Sequence, residues 1–211
     1  MKYYLKEEFL HDVNAKNAGN KARNDVESIV KEEGYHPLVL SVDNWYQMST
    51  LAAQRHKAKG FGQALDQLKQ GDELLIQFPM LHHSFFSTHL VKKAQKRGIK
   101  VYLLIHDLEV LRHANMTSLP LKHRIRMYLQ EASFLKAADG IIAHNPVMKS
   151  VLVDKGIAED KIVSLGIFDY LIPNFQEKSG QTKDQPMIVA GNLAQEKAGY
   201  LYALPAEPAY N

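Results

Sequence analysis

The chain has no cysteine among its 211 residues, which excludes a disulfide-stapled scaffold and thiolate metal sites. It also has no apolar run of membrane-spanning length, and its first ten residues, MKYYLKEEFL, do not have the pattern of a signal peptide. The formal net charge of +3 is too small to indicate nucleic-acid binding by itself, and we expect no nucleic-acid partner. With 45% hydrophobic and 23% charged residues, the composition is typical of a soluble globular protein, and the lack of cysteine fits a reducing cytoplasm.

Short apolar runs alternate with stretches of helical periodicity along most of the chain. Strands are expected at residues 2–5, 36–42, 73–78, 101–105, 140–143 and 161–167. A helix is expected between each pair of strands, and the one over about residues 51–68 would be interrupted at Gly60 and Gly62. This repeated β-α order predicts an α/β fold, a Rossmann-like doubly wound parallel sheet.

The composition changes at residues 175–186, a polar stretch that contains Ser179-Gly180 and ends at a proline. We interpret it as a linker between a domain at 1–174 and the start of a second domain at 187–211. The latter contains one strand, expected at 187–190, and one helix, expected at 194–204. A single β-α unit cannot bury its own faces, so we expect the chain to be the N-terminal part of a longer protein or a truncated product.

Residues 100–112, KVYLLIHDLEVLR, hold the most informative polar cluster. A buried strand is predicted to end at His106, Asp107 and Glu109. In open α/β sheets the ligand crevice lies beyond the carboxyl ends of the strands, so these residues are candidates for chemistry. An equally good interpretation of this stretch alone is that Asp107 caps a following helix.

Other predicted strand-end loops are rich in the residue types that suit a sugar site, which needs planar apolar surfaces and hydrogen-bonding groups. They contain Trp45, Pro79, His82, His83, His144, Asn145 and Asp169. Each could also be an ordinary loop residue, and Asn145 before Pro146 is a favourable helix N-cap. The loop with Gly19 and Asn20, before the first helix, is a weak signal for a phosphate-binding loop.

Several segments in a specific order resemble one enzyme family. They are GNKARND at 19–25, GDELLIQFP at 71–79, IHDLEVLR at 105–112, AADGIIAHNPVMKSVL at 137–152, LGIFDYL at 165–171 and IVAGNL at 188–193. In these the chain resembles the N-terminal half of GT-B glycosyltransferases. It is most similar to bacterial β-1,6-galactofuranosyltransferases and to the streptococcal glucosyltransferase that extends N-acetylglucosamine on serine-rich adhesins.

The resemblance implies two Rossmann-like domains that face each other across a cleft, with the acceptor on the N-terminal domain and most of the UDP-sugar site on the other. It implies inverting transfer of a hexose, galactofuranose or glucose, to a cell-surface glycan or glycoprotein. No metal or cofactor is expected, because basic side chains and helix N-termini neutralise the diphosphate. This chain alone is expected to show little or no turnover.

The resemblance also assigns roles to residues. Asp107 is the expected general base, with Glu109 as the alternative, and His106 is expected to orient the acid or to bind the acceptor. The expected donor-binding residues are Gly19, Asn20, Gly191, Asn192 and Lys197. The expected acceptor-binding residues are Pro79, His82, His83, Arg112, His144 and Asn145. For His106 a buried structural role, and for Arg112 an ion pair with one of the acids, are open alternatives.

Three other interpretations remain. The domain could be a non-catalytic carbohydrate-binding or subunit-docking module, or a flavodoxin-like nucleotide-binding regulator, although the second β-α unit argues against the latter. Asp107-Leu108-Glu109 also resembles the D-x-D metal site of GT-A enzymes, a fold that the β-α order disfavours.

Two basic clusters suggest either solvated helix faces or peripheral docking to anionic lipid at the inner face of the membrane. They are Lys92, Lys93, Lys96 and Arg97, and Lys122, Arg124 and Arg126. Homo-oligomerisation stays open.

Overall fold

The computed structural model describes residues 1–8, 18–108, 120–121, 131–166, 171 and 199–203. The chain divides into two compact units, Met1–Leu171 and Ile172–Asn211. In the second unit the described part is a short 3-10 helix, Gly199–Ala203. The predicted strand at 187–190 and most of the predicted helix at 194–204 lie outside the described residues.

A six-stranded sheet forms the centre of the first unit. The strands are β1 (Lys2–Glu8), β2 (His36–Ser41), β3 (Glu73–Phe78), β4 (Lys100–Ile105), β5 (Gly140–Ala143) and β6 (Ile162–Ser164). All neighbours are parallel, in the order β2-β1-β3-β4-β5-β6. The α/β fold with a Rossmann-like parallel sheet is therefore confirmed. Because every strand runs the same way, their carboxyl ends lie together at one side, which we call the carboxyl edge.

Helices cover both faces of this sheet. They are α1 (Ala18–Glu32), α2 (Thr50–Leu65), α3 (Ser87–Lys96), α4 (Ser133–Ala137) and α5 (Pro146–Asp154). Successive strand residues point to opposite faces: Leu74 and Ile76 of β3 join the larger core with α2, α3, α4 and α5, whereas Leu75 joins a smaller core with Val26 of α1. Among the described residues, no helix has the length and apolarity needed to cross a membrane.

The expected interruption of α2 at its two glycines is wrong, because α2 is continuous from Thr50 to Leu65. Gly60 serves close packing instead: a Cβ atom there would lie 3.0 Å from Val42 and 3.4 Å from Leu40. The absence of a side chain lets α2 approach the end of β2.

Two other boundaries differ from expectation at the carboxyl edge. β1 continues three residues beyond the predicted end, to Glu8, and so places Glu7 in the sheet. Helix α1 begins at Ala18, so Gly19 and Asn20 lie in its first turn rather than in the preceding loop. The expectation that these two residues form a loop is therefore corrected.

Candidate active site at the carboxyl edge

Polar side chains from several strands meet at the carboxyl edge. Glu7 comes from the end of β1, and Pro79 begins the loop after β3, joined to Phe78 by a cis peptide bond. His106 and Asp107 directly follow β4, and His144 directly follows β5. The arrangement brings residues from distant parts of the sequence into one polar region.

A buried carboxylate holds the loop after β3. The Glu7 side chain is 5% exposed, and it accepts hydrogen bonds from the backbone N–H groups of Leu81 at 3.0 Å and His82 at 2.8 Å. The Nδ1 atom of His82 also donates to it at 3.3 Å. Backbone donors satisfied by a carboxylate form strong, charge-assisted bonds, so this loop has a defined position relative to β1.

Arg23 of α1 completes this network. One guanidinium nitrogen lies 3.6 Å from the Glu7 carboxylate, and the other donates to the backbone oxygen of Pro79. Burial lowers the pKa of Arg23 from its ordinary value, while Glu7 and Glu27 act in the opposite direction. The ion pair therefore offsets the cost of burying the guanidinium, and it ties α1 to the loop after β3.

A hydrogen-bonded chain orients His106. Gln77 at the end of β3 donates through its amide nitrogen to the backbone oxygen of Arg23 at 3.3 Å, which turns its amide oxygen toward His106. The His106 Nε2 atom lies 2.6 Å from that oxygen and therefore carries the proton. In addition, the His106 backbone N–H donates to Phe78 at 2.8 Å, continuing the β3–β4 pairing by one residue.

His106 is neutral at ordinary pH. Burial, the positive charge of Arg23 and the neighbouring His144 together lower its pKa to about 4. The His106 and His144 rings lie 6.0 Å apart between centroids. In a neutral imidazole with its proton on Nε2, the Nδ1 atom is an acceptor and not a donor.

Asp107 lies half-buried between two fixed neighbours. His106 precedes it, and Leu108 follows with no solvent exposure, packed in the larger core. The backbone that carries the Asp107 carboxylate is thereby anchored on both sides at the carboxyl end of a central strand. This is the position in the fold where a ligand crevice is expected.

The two histidines of the loop after β3 differ in environment. The His82 side chain is 1% exposed and contacts Glu7, so in this conformation it holds the loop and offers almost no surface to a ligand. His83 is half-buried and packs edge-on against Phe134 at 5.0 Å. Burial lowers its pKa to about 4, opposed by Glu7 and assisted by Lys57, so it too is neutral. Within the described part of the chain, its buried Nε2 atom has no hydrogen-bond partner.

Asn145 has a structural role that the sequence indicated. Its side-chain oxygen accepts the backbone N–H of Met148 at 2.9 Å and caps α5, with Pro146 in the first turn. The cap directs the chain after β5 into α5 and thereby positions His144 at the edge.

Six of the candidate site residues lie outside the described residues: Glu109, Arg112, Asp169, Gly191, Asn192 and Lys197. Gly19 and Asn20 lie in the first turn of α1, which follows β1 at the carboxyl edge. Within the described ranges, no three histidine or carboxylate side chains form a group that could hold a metal ion.

Two residues of the network were not singled out from the sequence as site residues: Glu7 and Gln77. Glu7 lies in the charged run Lys6–Glu8, which gives no apolar signal for a strand. Gln77 was a possible exception, because it is the one polar residue inside the otherwise apolar end of β3, ELLIQF. A polar residue in a buried strand needs a partner, and this could have marked it.

Comparison with known proteins places the chain in a glycosyltransferase-like family. The family model described as "Glucosyltransferase 3-like, N-terminal domain" matches residues 2–167. Over 202 residues the chain is 30% identical to the β-1,6-galactofuranosyltransferase WbbI of Escherichia coli (strain K12). The match covers 92% of this chain and 54% of that relative, so the chain spans about half of the relative's length.

Proposed function

Because the chain belongs to the glucosyltransferase 3-like family through its N-terminal domain, we propose that it forms the acceptor side of a UDP-sugar-dependent glycosyltransferase. The proposed reaction transfers a hexose with inversion to a cell-surface glycan or glycoprotein. The family's description supports glucose as the sugar, and the relative's name supports galactofuranose.

The observation that carries this proposal is the position of Asp107, directly after a central strand and beside an oriented histidine. Asp107 acts as general base. It takes the proton of an acceptor hydroxyl while that oxygen forms a bond to the anomeric carbon. The bond between the anomeric carbon and the phosphate oxygen breaks at the same time, and UDP leaves with the electron pair. Attack from the face opposite UDP inverts the anomeric configuration.

His106 positions the acceptor for this step. Its ring is held by Gln77, and its low pKa keeps it uncharged. It therefore adds no positive charge beside the Asp107 carboxylate. The ring contacts the acceptor sugar beside Asp107 and helps to orient the reacting hydroxyl toward that carboxylate. Pro79, His83 and His144 are the adjacent described residues that would contact the acceptor.

The donor lies nearer the start of α1. The backbone N–H groups of its first turn, at Gly19 and Asn20, would contact the diphosphate. We propose that these groups, rather than a metal ion, stabilise the leaving UDP. Activity that survives a chelator is the expected result, and loss of activity that Mg²⁺ or Mn²⁺ restores would contradict it.

The proposed function is tested by measuring UDP release by the full-length gene product. The donors are UDP-galactofuranose and UDP-glucose, and the acceptors are a panel of short glycans. Asp107→Asn and Glu109→Gln are compared, since each removes one carboxylate at nearly constant size. Loss of activity in Asp107→Asn alone supports Asp107 as base, whereas loss in Glu109→Gln alone transfers that role. Glycan binding with no UDP release from any donor would favour a carbohydrate-binding module.

A further inference from the structure

Helices α2 and α3 contain basic residues and no acidic residue of their own. Their sequences, TLAAQRHKAKGFGQAL and STHLVKKAQK, contain neither Asp nor Glu. Lys57 is buried over the ring of Trp45 at 3.4 Å and does not contribute to the surface. The exposed cations are Arg55, Lys59, Lys92, Lys93 and Lys96. By contrast, α1 on the other face has three acidic and three basic residues, so the charge is concentrated on one side of the sheet.

The structure redefines the basic cluster that the sequence suggested. Arg97 does not belong to it, because its guanidinium binds Asp66 at 3.1 Å and the backbone oxygens of Leu65 and Leu68. Arg97 therefore holds the end of α2. The second predicted cluster, Lys122, Arg124 and Arg126, lies outside the described residues.

Exposed apolar side chains lie at the starts of the same two helices. Met48, Leu51 and Phe86 are 38%, 53% and 40% exposed, and we call these three the apolar tip. A hydrogen bond of 2.9 Å from the backbone N–H of Phe85 to the Gln54 side chain joins the start of α3 to α2. Because both helices follow strands of a parallel sheet, the apolar tip lies at the carboxyl edge.

The order of apolar and basic groups along both helices matches the depth profile of a lipid surface. With a rise of 1.5 Å per residue, Arg55 lies about 6 Å beyond Leu51, and Lys92 about 9 Å beyond Phe86. Apolar residues of interfacial segments enter the headgroup and acyl boundary by about 5–10 Å. A tip at that depth places these cations at the level of the lipid phosphates, and long side chains adjust the remaining distance.

We propose that the apolar tip and the exposed cations of α2 and α3 dock the protein onto an anionic lipid bilayer. Charge complementarity selects this occupant: a second copy of the same surface would oppose five cations to five cations, and nucleic acid would leave the apolar tip in water. The inference does not rest on the proposed catalytic function. If that function also holds, docking brings the carboxyl edge close to saccharides anchored in the same bilayer.

The test is co-sedimentation of the 211-residue chain with vesicles of phosphatidylcholine alone or mixed with phosphatidylglycerol. Trp45, the one tryptophan of the chain, adjoins the apolar tip, so its emission spectrum gives a second readout of insertion. Two double variants probe the surface, Lys92→Gln/Lys93→Gln and Leu51→Ser/Phe86→Ser. The matched control is Lys31→Gln/Lys100→Gln, which removes two exposed lysines from α1 and from the opposite edge of the sheet.

We expect binding to mixed vesicles that weakens with added salt, and much weaker binding to phosphatidylcholine alone. Removing Lys92 and Lys93 should lower the partition coefficient by about 10- to 30-fold, given the usual contribution of a basic residue near an anionic surface. The apolar variant should lose a comparable factor and the blue shift of Trp45 emission. The proposal is overturned if the chain does not bind mixed vesicles, if the control weakens binding as much as the surface variants, or if only a polyanion such as nucleic acid is bound.

Discussion

Replacing Glu7 by alanine should destabilise the first unit strongly, because the carboxylate connects three parts of the fold. It accepts the backbone N–H groups of Leu81 and His82 and lies 3.6 Å from the Arg23 guanidinium. The Glu7 and Arg23 side chains are 5% and 15% exposed. Without the carboxylate, water has little access to the two N–H donors or to the cation.

The magnitude follows from these contacts. Losing hydrogen bonds to a charged group costs about 1.5–3 kcal/mol each, and removing one partner of a buried ion pair costs about 3–5 kcal/mol. These contributions overlap, so we expect the free energy of unfolding to fall by about 3–5 kcal/mol in Glu7→Ala. Glu7→Gln keeps one acceptor oxygen and should lose about 1–3 kcal/mol.

The assay is urea unfolding followed by Trp45 fluorescence, which reports on the first unit. With a slope of about 2 kcal/mol per molar urea, the midpoint of Glu7→Ala should fall by about 1.5–2.5 M. Glu8→Ala is the matched control: Glu8 is 41% exposed and forms a surface ion pair with Lys6 at 3.3 Å, so its loss should change stability by less than about 0.5 kcal/mol. A change in Glu7→Ala below about 1 kcal/mol, or equal to that of the control, would refute the reasoning.

Three further predictions concern packing, capping and protonation. Gly62→Ala should stabilise the fold by about 0.5–1 kcal/mol through helix propensity. Gly60→Ala should be at least about 1 kcal/mol less favourable than Gly62→Ala in urea unfolding. The reason is that a Cβ atom at Gly60 would lie 3.0 Å from Val42, whereas the nearest atom to a Cβ at Gly62 would be 3.7 Å away. Asn145→Ala should cost about 1 kcal/mol by uncapping α5, and Asn145→Asp, which keeps an acceptor oxygen, should recover most of it in the same assay. The pKa of His83 is about 4 in the folded protein and near 6.5 in the unfolded chain, so its contribution to stability is complete above pH 6.5 and is lost as the pH falls toward 4. His83→Phe should therefore lose less stability than the parent between pH 6.5 and 4. An identical loss would contradict the assignment of His83 as a buried neutral histidine.

The centre of the sheet could be predicted because its strands are apolar runs with clear boundaries. β3 and β5 begin and end at the predicted residues, 73–78 and 140–143. Gly71-Asp72 and Pro79 bound the first run, and Asp139 and His144 bound the second. Parallel strands buried on both faces have this pattern, and connections of helical length between them determine the fold class.

The carboxyl end of β1 and the continuity of α2 could not be predicted in the same way. Lys6, Glu7 and Glu8 end the apolar run, yet they continue the pairing with β2. The partners of Glu7 are 74 and 75 residues away, and hydrophobic periodicity contains no information about such contacts. Likewise, Gly60 has the appearance of a helix break in the sequence, and only the adjacent β2 shows that it permits close packing.

The candidate site was predictable in place but not in detail. The rule for parallel sheets located His106 and Asp107 at the carboxyl edge, where the structure has them. The hydrogen bond from His106 to Gln77 depends on the register of β3 against β4, which pairs Phe78 with Ile105. That register determines which tautomer His106 adopts, and the order of residues along the chain does not reveal it.

The most direct test of the central claim is to measure UDP-sugar binding and sugar transfer separately in the Asp107→Asn variant of the full-length gene product. A base acts on the acceptor hydroxyl in the transition state, so the substitution should leave the dissociation constant for the UDP-sugar within about threefold while lowering kcat by about 100-fold or more. Circular dichroism and the urea midpoint of the variant should match the parent. A variant that transfers sugar at an undiminished rate would contradict the assignment of Asp107 as the base, and with it the proposed chemistry of the carboxyl edge.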